Sequence, residues 1–194
     1  MNFFKKIFNI STKEDVEIQK QEVNLSLDDL FVHNFVEKGG KFLYCVNSEE
    51  VVHNLKNVIT ENNWEEVYLL DKKLQALLNQ NDVQQVSNLS ENIPVFTTCE
   101  HLIADKGDIL FSSNQLQSKR LKEFPVNFIV FATTSQLVKD TGQGLAGIKT
   151  NSKNNLPTNI SSIKNYNINK NDDNFLNYGN NNSKNLYLLL LEDL

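Results

Sequence analysis

Arginine is almost missing from this chain: it occurs once, at Arg120, and 19 Lys and Arg face 24 Asp and Glu for a formal net charge of −5. Polyanions are held by clustered Lys and Arg on a basic face, so nucleic acid is not an expected partner. Cysteine is scarce as well. Cys45 and Cys99 have no CxxC spacing and lie in unrelated contexts, which excludes a disulfide framework and fits a reducing compartment where thiols serve as small buried hydrophobes. Long apolar runs are also missing. The longest, residues 186–191 (LYLLLL), has six residues, against the roughly 20 that a membrane helix needs. Residues 1–10 lack the longer apolar stretch and small-residue cleavage site of a signal peptide. A protein without an integral membrane segment, located in the cytoplasm, is therefore expected.

Several chemical signatures are absent: no GxSxG elbow, no phosphate-binding P-loop, no HExxH and no EF-hand loop. Gly142, Gly144 and Gly147 have GxGxxG spacing, but they follow a helix-cap segment, whereas a dinucleotide fingerprint requires strand, tight turn and helix in that order. His33, His53 and His101 are dispersed, and Cys99 with His101 makes only a CxH pair. Zinc asks for four ligands, or three with an open position, so no metal site is expected. The residues specify no cofactor.

What is present suits a globular domain. The chain has 194 residues, 40% hydrophobic and 22% charged, long enough to bury a core without disulfides or metal. Residues 1–10 (MNFFKKIFNI) set Phe3, Phe4, Ile7, Phe8 and Ile10 around Lys5 and Lys6. This is the pattern of a short amphipathic segment, and residues 11–24 read as a polar linker. The domain proper spans residues 25–194. Ser26 opens a helix with Asp28 and Asp29 in its first turn, and Gly39 and Gly40 end it. Residues 41–46 (KFLYCV) read as a buried strand. Asn47 caps an amphipathic helix through Val51, Val52, Leu55, Val58 and Ile59. A strand at 66–70 and a helix at 72–78 complete an order that predicts an α/β fold, a parallel-rich sheet flanked by helices.

Further along, residues 81–92 are polar and turn-rich. Residues 94–97 predict a short strand leading into a helix opened by Thr97, with Glu100 at its third position and its stop at Gly107. Strands are expected at 108–112 (DILFS) and 126–132 (VNFIVFA), both central, with a polar loop at 113–123 between them. Thr134 and Ser135 predict a last helix through about Val138. Residues 151–185 are rich in Asn and predict an irregular loop, after which 186–191 returns as a core strand.

The most suggestive stretch is 97–113 (TTCEHLIADKGDILFSS). A helix ending at residues 104–107 before a strand places Asp105 in a glycine-permitted turn, where a carboxylate can serve as acid, base or nucleophile. Asp105 is the candidate catalytic residue. Thr98, Lys106, Gly107 and Asp108 are the candidate ligand-binding residues, with Lys106 as a partner for a carboxylate. The alternative is a solvated turn bearing ordinary surface charges.

This stretch resembles the LUD domain of lactate utilisation protein C and its relatives. Ile103, Ala104, Asp105, Lys106, Gly107 and Asp108 stand at that family's Ile-Ala-Glu-Thr-Gly-Thr turn, and Ile109 to Phe111 at its hydrophobic strand. Pro125, VNFIVFA and the Ser135, Gln136, Leu137, Val138 run follow in the same order, and GGKFLYCVNSEEVVHNLK is similar to the opening of small LUD proteins. The resemblance covers residues 25–194. It implies a NagB/RpiA/CoA-transferase-like fold and a role in lactate or organic-acid utilisation as an accessory or divergent subunit beside iron–sulfur subunits. This chain supplies no cluster-binding cysteine set, so a redox centre would reside in those partners. Two other readings stand beside it: a CoA-transferase-like small-molecule enzyme using the turn carboxylate Asp105, and a non-catalytic interaction scaffold anchored by residues 1–10. The chain departs from the family after LPTNISSI, where Lys164, Asn165, Tyr166 and Asn167 replace a Gly-Pro-Ser stretch. That change removes a backbone cradle for an anion.

Overall fold

The structure, a computed structural model, describes residues 25–81, 83–117, 119–153, 155–168 and 182–193. The amphipathic segment and linker expected at residues 1–24, and residues 169–181 of the Asn-rich stretch, lie outside the described residues.

Helix α1 (Leu27–Glu37) starts where Ser26 caps it, the Ser26 hydroxyl accepting from the Asp29 amide at 3.3 Å. It is followed by β1 (Lys41–Cys45), α2 (Ser48–Glu61) and β2 (Glu66–Leu69). Asn47 caps α2 by accepting from the Glu50 amide, and the Glu50 carboxylate reaches back to the Val46 amide. Two backbone donors at the helix start are thereby satisfied. A 3-10 turn (Lys72–Leu74) and the single-turn α3 (Gln75–Leu78) lead to β3 (Gln84–Val86) and β4 (Val95–Thr98). Then come β5 (His101–Ile103), β6 (Asp108–Ser112), a 3-10 turn (Leu121–Glu123) and β7 (Asn127–Thr133). A further 3-10 turn (Thr134–Gln136), β8 (Leu137–Val138), α4 (Thr141–Asn151), β9 (Ile160–Ile163) and β10 (Asn185–Leu191) complete the order.

Six strands form a wholly parallel sheet in the order β1-β10-β7-β4-β2-β3. Helix α2 and Leu74 and Leu78 of the following turns cover one face, where Val51, Leu55 and Val58 meet Val67, Phe96, Ile129 and Leu189. Helix α1 and a second sheet, ordered β8-β5-β6-β9, cover the other. Phe31 and Phe35 of α1 and Leu102, Ile109 and Phe111 of the second sheet pack there against Val95, Phe128, Val130, Leu186 and Leu188. Both faces of the six-stranded sheet are therefore apolar, which is why its strands read as continuous hydrophobic runs.

The expected α/β class with a parallel sheet is the observed one, and Cys45 and Cys99 are both free and buried. No helix among the described residues is long and apolar enough to cross a membrane. Several expected elements differ. In place of a helix from Thr97 to Gly107 there are two strands, because Phe96 and Thr97 are fully buried and the 99–112 segment pairs as a hairpin. Glu100 does not cap a helix; its carboxylate accepts from the Ser112 hydroxyl at 2.5 Å. Strand β6 is interior to the second sheet, not the parallel one. Thr134 and Ser135 open a 3-10 turn, and the helix begins six residues beyond Ser135 with Asp140 as its cap, accepting from the Gln143 amide at 2.9 Å. That helix contains all three glycines of the GxGxxG pattern. A side chain at 144 would lie 3.0 Å from Ile103 and one at 147 would lie 2.6 Å from the His101 ring. These glycines set the closeness of α4 to the second sheet, a packing role. The polar stretch 81–92 holds the short β3, and the loop 113–123 buries Leu116 and Leu121.

Lys184, just before β10, is only 3% exposed. Its Nζ donates to the carbonyls of Phe124 (2.8 Å) and Pro125 (2.9 Å) and lies over the Phe128 ring. Burial without a carboxylate partner among the described residues lowers its pKa to about 8. The unfolded chain therefore binds more protons at this site than the folded one between about pH 8 and the usual lysine value near 10.4. Stability contributed by this site should rise as pH climbs through that window, by at most about 3 kcal/mol. Urea unfolding of the chain and of Lys184→Met between pH 7 and pH 10 should show the difference between them shifting in that sense; a pH-independent difference would disprove it.

Candidate functional site

The hairpin turn at residues 104–107 joins β5 to β6 and rests on α1. The Asn34 side-chain amide donates to the Ala104 carbonyl at 2.8 Å. Gly107 has φ +62°, and a Cβ there would lie 2.4 Å from the Phe35 nitrogen and 2.5 Å from the Asn34 carbonyl carbon. Only glycine both adopts this backbone and permits this approach. Lys38, immediately after α1, donates to the Lys106 carbonyl and to the Asp108 carboxylate, the latter at 2.8 Å. Asp108 is 4% exposed, so the ion pair neutralises a buried charge. Tyr166, also buried, donates its hydroxyl to the Gly107 carbonyl at 2.7 Å and sets its ring 4.5 Å from that of Phe35. Burial pushes the Tyr166 pKa well up. Lys106 and Asp105 are exposed at the tip.

Thr98 lies elsewhere. The turn is braced by Asn34, Phe35 and Lys38, which adjoin the amino end of β1, whereas Thr98 ends β4 at the carboxyl edge of the same parallel sheet. The structure therefore divides the five candidates: Asp105, Lys106, Gly107 and Asp108 cluster at one edge, and Thr98 stands at the other.

The carboxyl edge has a feature that sequence spacing does not reveal. Adjacent strands β2 and β4 send their connections to opposite faces: after β2 the chain turns toward Leu74 and Leu78 on the α2 face, and after β4 it turns toward Cys99 and Leu102 on the other. In open α/β sheets the crevice outside such a switch point is the usual ligand position. Here Asp71 follows β2, and its carboxylate accepts from the Thr98 hydroxyl at 2.7 Å and from the Lys73 amide at 2.9 Å. Gln117, at φ 51°, donates its side-chain amide to the Leu70 carbonyl. One strand over, Gln136 donates to the carbonyls of Cys99 and Glu100 and accepts from the Thr133 amide. Asp193 accepts from the hydroxyls of Ser135 and Thr134, bonds that hold its carboxyl far below the ordinary range.

Asp71 and Gln117 carry no motif in the sequence, and Gln136 enters there only within the Ser135 to Val138 run. The signal for Asp71 is its position directly after an apolar strand, followed by the exposed pair Lys72 and Lys73. Cys99 also borders this edge, but burial, with Glu100 adding to it, raises its thiol pKa far above the ordinary value, which keeps it protonated and unreactive at neutral pH. Among the described residues no group of three or more His, Cys, Asp or Glu is placed to hold a metal ion. His101 packs against Gly147 while Cys99 belongs to the main core, so the CxH pair does not converge.

No protein-family model and no curated protein matches the sequence. Among solved structures, the fold is similar to the crystal structure of a DUF162 family protein from Deinococcus radiodurans, with a TM-score of 0.58 and 13% sequence identity over 87% of this chain and 99% of that chain. At this identity the likeness establishes the fold: an α/β chain with a parallel six-stranded sheet, of the same architecture as a DUF162 protein.

The geometry ranks the residues of the turn. Lys38→Met leaves Asp108 buried and unpaired and should cost about 3 kcal/mol. Gly107→Ala should cost about 2 kcal/mol or more through its positive φ and its contact with α1. Asp105→Asn, at the exposed tip, should stay within about 0.5 kcal/mol. Urea denaturation midpoints measure all three, and a loss from Asp105→Asn equal to that from Lys38→Met would contradict the ranking.

Proposed function

We propose that this chain is a LUD-like domain that serves as a cytoplasmic accessory or divergent subunit in lactate or related organic-acid utilisation. The supporting observation is the agreement of two independent likenesses. The sequence resembles LUD domains at residues 103–111 and 125–138, and the fold is similar to that of a protein of the DUF162, LUD-like, family. The accessory role draws support from what the carboxylates near the sheet edges are doing. Asp71 caps a turn and holds Thr98, Glu100 holds Ser112, and Asp108 pairs with Lys38. Each is engaged in a structural contact, and with only Cys45 and Cys99 the chain has no cluster-binding cysteine set, so electron transfer is assigned to iron–sulfur partner subunits and this chain contributes docking and an organic-acid crevice. In this reading the crevice is the one at the carboxyl ends of β2 and β4, where the exposed Lys72 and Lys73 supply cationic donors for a small carboxylate, the Thr98 hydroxyl being committed to Asp71.

A reactive turn carboxylate at Asp105 is the competing reading, and the exposure of Asp105 at the hairpin tip, at the edge away from Thr98 and the β2–β4 fork, favours it less. If the accessory reading holds, the isolated chain should reduce no electron acceptor with lactate, and adding the iron–sulfur subunits should give lactate-dependent reduction that is lost when this chain is omitted. Turnover by the chain alone would overturn it, as would equal turnover by the partners without it. Asp105→Asn should leave the reconstituted rate unchanged.

A further inference from the structure

A groove of about 460 Å³ opens between α1 and the edge of the parallel sheet. Its floor is Phe42 and Tyr44 of β1 and Leu190 of β10, and its α1 wall carries Val32, Asp28 and Asp29. Glu192 adds a third carboxylate at the rim, beside the Tyr44 hydroxyl. Apolar side chains are exposed at the start of α1 and along and just after β1: Leu25, Leu27, Tyr44 and Val46 are 44%, 39%, 42% and 53% exposed, while His33 of the α1 wall is polar. Strand β1 is also the last strand on its side of the sheet, with no described strand against its outer edge. Sheets normally cover or blunt such an edge.

We propose that residues 1–10 of this same chain dock in that groove. The segment MNFFKKIFNI places Phe4, Ile7 and Phe8 at helical spacing i, i+3, i+4, one apolar stripe, with Lys5 on its flank and Lys6 on the opposite side. The charges are complementary: Lys5, on the flank of that stripe, meets the rim carboxylates of Asp28, Asp29 and Glu192. The reach is sufficient, since residues 11–24 can extend to roughly 45 Å and the described chain starts at Leu25, beside the α1 turn that carries Asp28 and Asp29. A membrane surface is the poorer occupant. Those three carboxylates would be held against anionic headgroups, and a short segment with two lysines has few of the charges that lipid attachment uses.

The test uses the full chain. Zero-length carbodiimide coupling followed by peptide mapping should join Lys5 to Asp28, Asp29 or Glu192 within one chain, at a yield independent of protein concentration. Trypsin should cut after Lys5 and Lys6 at least about tenfold more slowly than in a chain carrying F4S and F8S, because docked segments must open before cleavage. Val32→Trp fills the groove without altering residues 1–10 and should both speed that cleavage and abolish the coupling. Coupling only between chains, rising with concentration, would overturn the proposal in favour of a second copy. Protection that arises only with phosphatidylserine vesicles would overturn it in favour of a membrane. Equal cleavage of the chain and its F4S/F8S variant would overturn it outright.

Discussion

Strand β10 pairs in parallel with β1 on one side and β7 on the other, and nearly everything else in the molecule presupposes that insertion. Its side chains alternate between two cores: Leu186, Leu188 and Leu190 point toward α1 and the second sheet, Tyr187 and Leu189 toward α2. A strand so placed satisfies all its backbone groups and buries apolar side chains on both faces. Without it, β1 would lose its only described partner strand and β7 one of its two. The contacts are remote in sequence, Lys41 and Tyr187 being 146 positions apart, so loop closure precedes the reward. The central sheet cannot be completed until the last strand arrives.

The layering has a consequence for where chemistry can occur. One face of the parallel sheet is sealed by α2 and the other by α1 and the second sheet, which is itself backed by α4 through Gly144, Ile148 and their contacts. What remains open is the edges. At the amino edge the hairpin turn is clamped by Asn34, Lys38 and Tyr166; at the carboxyl edge β2 and β4 diverge and leave Asp71 and Thr98 at the fork. The parallel arrangement distinguishes the two edges even before any side chain is considered.

Periodicity made the parallel core legible: KFLYCV, EVYLL, VNFIVFA and LYLLLL each became a strand, and Ser26 and Asn47 became the caps they resemble. The stretch 97–107 misled because Thr97 and Glu100 reproduce a capping box while a three-residue strand offers almost no period to detect. Burial of Thr97 and pairing with β6 decided against the helix, and neither is a local property. Gly142, Gly144 and Gly147 misled in the opposite direction. Their cost in helix propensity is offset by the close approach of α4 to Ile103 and His101, which only the tertiary structure shows. Of the candidate site, the turn was located correctly as a glycine-dependent turn before a strand. The crevice was not, since Asp71 and Thr98 are 27 positions apart and only the strand order brings them together.

The residues on which a LUD resemblance was expected are those that packing constrains most in this structure. Gly107 is fixed by its φ and by α1, Asp108 by Lys38, and Ile109 and Phe111 by the core. The segment after β9 obeys the same logic, because Tyr166 takes up the space beside Phe35 and returns its hydroxyl to the Gly107 carbonyl. Residues retained because a turn must dock on a helix carry information about fold, and they carry it whether or not the protein catalyses anything. Packing imposes least at the carboxyl fork of β2 and β4 and along the open groove beside β1. There Thr98, Lys72 and Lys73, or Asp28, Asp29 and Tyr44, can be exchanged without dismantling the core, and divergence at those positions would redirect the protein while leaving its architecture intact.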